Sequence, residues 1–148
     1  VTVEQGSIMI KYAVATAACA VLLGACSTAA QLHVTDARIP LPAGPNAAVY
    51  FQIENNGDHE VELVGAQSDI AVAEIHQTTM SGGMMQMEPV DEITLAPGQT
   101  VEFAPGGLHV MLMSVPALEV GQEVQVTLSF RNDQPVTFSA LVSPIETP

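Results

Sequence analysis

From Leu32 onward, apolar residues fall in short runs, several of them alternating with polar ones, and no helical period persists over a dozen residues. The clearest stretch places Val124, Val126, Leu128 and Phe130 against Gln125, Thr127 and Ser129, the period of a strand with one face buried and one wet. The pattern predicts strands over Leu32–Arg38, Ala47–Glu54, Val61–Ala66, Val72–Gln77, Met84–Val90, Thr100–Phe103, Val110–Val115, Glu123–Arg131 and Val136–Val142. Turn residues separate them: Asn55-Asn56-Gly57-Asp58, Ala96-Pro97-Gly98, Pro105-Gly106-Gly107 and Asn132-Asp133-Gln134-Pro135. Strands at this spacing, without repeat or linker, predict one all-β domain, a sandwich or barrel with antiparallel pairing.

The first 26 residues break this pattern. Lys11 precedes a small and apolar run from Ala13 to Ala25, too short to span a membrane as a helix, which needs about 20 residues. The run ends in Leu23-Gly24-Ala25-Cys26, which resembles a bacterial lipobox, with Cys26 as the residue to be acylated. Residues 1–26 are therefore expected to be a lipoprotein-type signal, with Met9 as the natural start, residues 27–31 a short tether, and residues 32–148 the folded domain. The expected location is the periplasmic face of a bacterial membrane, anchored by lipid, or the soluble periplasm if Cys26 is not acylated.

Cleavage before Cys26 would leave 123 residues carrying 15 acidic side chains and only two cations, Arg38 and Arg131, so the formal charge of −13 belongs to the exported part. That charge argues against nucleic acid, whose binding depends on Lys and Arg neutralising phosphates, and against anionic membranes recognised by charge. The 48% hydrophobic content argues against disorder. With Cys19 in the signal and Cys26 at the new terminus, the domain has no disulfide framework and no thiolate for metal or nucleophilic chemistry.

Candidate chemistry lies in one window. Met80, Met84, Met85, Met87, Met111 and Met113 are the six methionines outside the signal, and His76 and His109 bracket them all but the last two. On a strand through His109 and Met113, residues 109, 111 and 113 share one face, leaving Val110 and Leu112 for the core. Methionine also fills core gaps and lines adaptable binding surfaces. Imidazole with thioether, however, is a soft neutral ligand set suited to Cu(I), whereas calcium and magnesium want oxygen and structural zinc prefers thiolate or several imidazoles. A blue-copper site needs a cysteine that the domain lacks. His33 and His59 are expected at the surface, His33 with the option of a second, weaker metal site. The pairs Glu60/Glu62 and Asp91/Glu92 are expected to be solvated faces. No nucleophile-elbow context or phosphate loop is present, so an enzyme is not expected.

The spacing of His76, Met87, His109 and Met111 matches the H-x10-M-x21-H-x-M pattern of the PCu(A)C family of periplasmic copper chaperones. The words Ala73-Glu74-Ile75-His76, Met85-Gln86-Met87-Glu88-Pro89-Val90, Leu95-Ala96-Pro97-Gly98 and Gly106-Gly107-Leu108-His109-Val110-Met111-Leu112 agree with it. The resemblance implies a cupredoxin-like antiparallel β-sandwich of Greek-key type, a monomer, that binds one Cu(I) through His76, Met87, His109 and Met111. It implies delivery of copper to cytochrome c oxidase assembly at the CuA centre, with an oxidase subunit or another copper carrier as partner. A copper-sequestering resistance protein and a metal-free interaction lipoprotein are the alternatives. Met80, Met84, Met85 and Met113 lie outside the pattern and are left to relay or packing roles.

Overall fold

The computed structural model describes residues 31–145, all of them strand, turn or irregular. The expected signal, Cys26 and most of the tether lie outside the described residues. Ten strands form one mixed sheet that folds over on itself: β1 (Leu32–Pro40), β2 (Ala47–Asn55), β3 (Val61–Ser68), β4 (Val72–Ser81), β5 (Met84–Pro89), β6 (Ile93–Leu95), β7 (Thr100–Phe103), β8 (Leu108–Met113), β9 (Glu123–Phe130) and β10 (Val136–Ser143).

The fold-over occurs at β1. It pairs antiparallel with β2 over Leu32–Thr35 and, after an irregularity, once more at Arg38, from which its second half pairs in parallel with β10. Asp36 takes a φ of 54° there, a left-handed backbone that a short polar side chain tolerates. One half of the sheet thus runs β5-β4-β8-β2-β1 and the other β10-β9-β3-β6, with β7 and β8 sharing successive lengths of the same edge of β2. The ladders are antiparallel except β1/β10 and the single β7/β8 pair, Phe103 opposite Leu108.

Alternation builds the core. Val49, Phe51 and Ile53 of β2, Val110 and Leu112 of β8 and Ile75 of β4 face Leu63, Val124, Val126 and Leu128 from the other half, all of them buried. Phe51 stacks on its cross-strand partner Phe103 with centroids 4.2 Å apart and meets Phe138 at 5.0 Å. Asn55 is fully buried at the end of β2, where its Nδ2 donates to the carbonyls of His59 (2.8 Å) and Leu95 (3.0 Å) and its Oδ1 accepts from the Gly57 amide. This pins the β2–β3 turn to β6.

Three expectations change. Strand β6 was not foreseen, because three residues are too few to display a period; β4 runs on past Gln77 to Ser81 because β5 pairs with it to the end. Glu62 and Glu92 are not merely solvated. The Arg131 guanidinium bridges both, tying the β9–β10 turn to β3 and to the approach to β6. His59 sits at the surface as expected, but its ring spans Asp58 at 3.1 Å and Asp133 at 3.3 Å.

Candidate metal centre

Strands β5, β4 and β8 lie side by side, and register decides what their outer face carries. His76 on β4 stands directly opposite His109 on β8. Opposed residues of an antiparallel pair point to the same face, and the two imidazoles are 6.0 Å apart between centroids, inclined at 58°. Glu74 and Thr78 share that face by the two-residue period, and so do Met111, opposite Glu74, and Met87, opposite Thr78. Met111 and Met87 are each one diagonal step from His76, about 7–8 Å between Cα atoms, on opposite sides of it along the strand direction. The other face of the same strands supplies Ile75, Val110 and Leu112 to the core, so the histidines stand on a rigid base.

Each imidazole is held by one nitrogen. Nδ1–H of His109 donates to the Gly107 carbonyl at 3.2 Å, which leaves Nε2 with its lone pair. Nε2–H of His76 donates to the Glu74 carboxylate at 3.1 Å, while Nδ1 is buried and has no hydrogen-bond partner. A buried imidazole nitrogen without a partner is costly unless something accepts its lone pair. The carboxylate-to-imidazole bond on the opposite nitrogen is the arrangement that orients a metal-binding histidine and raises its basicity.

Tyr50 of β2 closes the other side, with its ring edge-on to His109 at 6.4 Å and the Arg38 guanidinium 5.7 Å from its own centroid. His109 is 4% exposed in this setting. Burial lowers its pKa from the usual histidine value, the Gly107 hydrogen bond opposes that shift, and His76 adds to it by charge repulsion. His109 therefore stays neutral, with a free lone pair, to lower pH than an ordinary histidine.

The structure thus places His76, His109 and Met111 together on one face, with Met87 on the same face and 58% exposed on the edge strand β5. His33 is exposed on β1 opposite Glu54, at the far end of β2 from the segment that pairs with β8. Among the described residues no three His, Cys, Asp or Glu side chains converge as a metal-binding group. Glu74, Gly107 and Tyr50 were not foreseen as parts of the site. Glu74 and Gly107 carried a signal, since each lies two residues before a candidate histidine on a strand; Tyr50 carried none, because its neighbour is set by the β2/β8 register.

The LpqE-like lipoprotein family profile matches residues 32–142. "Putative lipoprotein Lxx21020" of Leifsonia xyli subsp. xyli (strain CTCB07) is 32% identical over 133 residues, covering 78% of this chain and 80% of that protein. Among solved structures, the copper-bound PCuAC domain from PmoF2 is similar with a TM-score of 0.62 at 27% identity, over 78% of this chain and 95% of that one. The apo PCuAC domain from PmoF1 gives 0.63 at 29% identity, over 81% and 97%. CuI-DR1885 from Deinococcus radiodurans gives 0.56 at 28% identity, over 78% of each. The resemblance read from the His76, Met87, His109 and Met111 spacing is borne out at the level of family and fold: the chain belongs to the LpqE-like family and has the all-β fold of PCuAC domains.

Proposed function

We propose that this protein is an exported copper chaperone that carries one Cu(I) on His76, His109, Met111 and Met87. The observation that carries the reading is the pair of opposed imidazoles, each anchored through one nitrogen, with the other nitrogen of His76 buried and unpartnered on a face that also bears the two methionines. The copper-bound state of similar PCuAC domains supports it.

The donors suit the task. Two neutral imidazoles and two thioethers match a soft monovalent cation and add no charge of their own. The histidines are the fixed half, oriented by Glu74 and Gly107. Methionine has three rotatable bonds and adapts its position, so Met87 on the exposed edge strand and Met111 are the mobile half. Cargo held this way leaves by exchange: a recipient's ligand replaces one thioether, then the next, and the imidazoles last. Protons compete only for the imidazoles, and the low pKa of His109 keeps its share of binding intact below the ordinary histidine range.

We assign the recipient to cytochrome c oxidase assembly at the CuA centre, and the anchor to acylated Cys26 on the periplasmic side of the membrane. The test of copper carriage is competition with a Cu(I) chelator. M87A/M111A should lose at least tenfold in affinity, and equal affinity of variant and parent overturns the ligand assignment. Transfer is tested with the apo oxidase subunit, which should strip copper from the loaded protein; retention of the metal identifies a store instead.

A further inference from the structure

The β4–β5 hairpin carries side chains that neither the core nor the four-residue set absorbs. Met80, Met84 and Met85 are 69%, 67% and 68% exposed, so packing does not account for them. The turn between the strands is Gly82-Gly83, with φ of 60° and 81°, the two-residue left-handed turn that locks hairpin register. That register sets Met80 opposite Met85 and Thr78 opposite Met87.

The Val90 amide donates to the Ile75 carbonyl at 2.8 Å, which fixes the alternation along the ladder. Residues 75, 77, 79 and 81 fall at hydrogen-bonded positions, and Met80/Met85 and Thr78/Met87 at non-hydrogen-bonded ones. In the latter, opposed Cα atoms are about 4.5 Å apart and the side chains are closest. Met80, Met85 and Met87 consequently share the face of His76 and His109, in successive rows about 7 Å apart. Met84, opposite Ser81, points to the other face. Glu88 is the only charge on β5, so the edge lacks the lysines and alternating charges that usually guard an exposed strand.

We propose that Met80 and Met85, together with Met87, form a second, outer site for Cu(I) at the tip of this hairpin. This rests on reading the His76/His109 face as a copper site. Three neutral thioethers with no imidazole hold a soft monovalent ion weakly, and Met87 belongs to both sets. Passage inward is ligand exchange at constant oxidation state: Cu–S bonds to Met80 and Met85 break as Cu–N bonds to His76 and His109 and a Cu–S bond to Met111 form, the Met87 bond persists, and no electron or proton is transferred. The outer site is the point at which the ion enters.

The probe is Ag(I), a redox-inert soft monovalent ion, titrated into the full chain labelled with 13C at the methionine methyls. The first equivalent should shift the Met87 and Met111 methyls, and the second those of Met80 and Met85, with the Met87 methyl shifting again as its sulfur is shared between the two ions. M80L/M85L, which keeps the apolar volume, should bind one equivalent fewer with unchanged affinity for the first; Met84→Leu should bind as the parent does. Unmoved Met80 and Met85 methyls at two equivalents, or a second equivalent that survives in M80L/M85L, overturns the outer site. A first equivalent that leaves Met87 and Met111 unmoved overturns the inner site instead, so the two failures are distinct.

Discussion

His59 and His109 are pushed in opposite directions by their surroundings. Hydrogen bonds to Asp58 and then Asp133 raise the pKa of His59, while burial lowers that of His109. A raised folded-state pKa gives stability that is fully present below the unfolded value of about 6.5 and is lost as pH rises through the folded value. The lowered pKa of His109 has the reverse sign: its contribution is present above about 6.5 and is lost as pH falls through the folded value. Substituting His59→Gln should therefore lower the apo protein's Tm more at pH 5.5 than at pH 8.5, by thermal unfolding followed with circular dichroism. An equal loss at both contradicts a charged His59 bridge. At the metal face, Glu74→Ala removes the acceptor that orients His76 and should weaken Cu(I) binding about tenfold, read by chelator competition; unchanged affinity makes Glu74 a bystander. The candidate histidines and methionines were legible because their order and spacing along the chain match a known pattern. Their partners were not: Tyr50 reaches His109 from 59 residues away in sequence, through a register that no local pattern states.

The β4–β5 hairpin and the Asn55 turn are the elements that hold the site in place. Gly82 and Gly83 have open space where a Cβ would stand, so substitution there costs backbone strain alone. Gly83→Ala should loosen the hairpin by about 1–2 kcal/mol. Amide exchange at the hydrogen-bonded pair Thr79/Gln86 should accelerate about tenfold while the β2 and β8 core stays protected; unchanged exchange there contradicts the left-handed turn as the register lock. Asn55→Ala should cost the whole domain about 2–3 kcal/mol, because it strips the buried Leu95 carbonyl of a donor. Urea unfolding measures it, and a midpoint equal to the parent's contradicts the role of this side chain. At this scale the sequence revealed the regular strands best. In β9 one face is buried throughout, and alternation announces it. In β4 beyond Gln77, Thr78, Thr79, Met80 and Ser81 have no apolar period, and only pairing with β5 makes them a strand. Likewise β6 exists because Ile93, Thr94 and Leu95 lie along β3.

Across the whole molecule, the fold-over at β1 puts the aromatic and aliphatic core between two half-sheets and leaves the outer face of β5-β4-β8 for chemistry. Along that face the order is Met80/Met85, Met87, His76/His109, Met111 and Met113, a line of soft donors with the imidazoles in the middle. The surrounding charge of −13 is a general field that draws cations and opposes association with polyanions, while the donors themselves are neutral. Composition made that charge plain, and the two-residue alternation of a strand gave His109 and Met111 a common face; that His76 stands opposite His109 depended on the β4/β8 register. The most direct test is X-ray absorption at the copper edge on protein loaded with one equivalent of Cu(I). Ligation by His76, His109, Met87 and Met111 predicts coordination by mixed nitrogen and sulfur whose sulfur component falls in M87L/M111L. A shell of nitrogen and oxygen alone, identical in parent and variant, contradicts it.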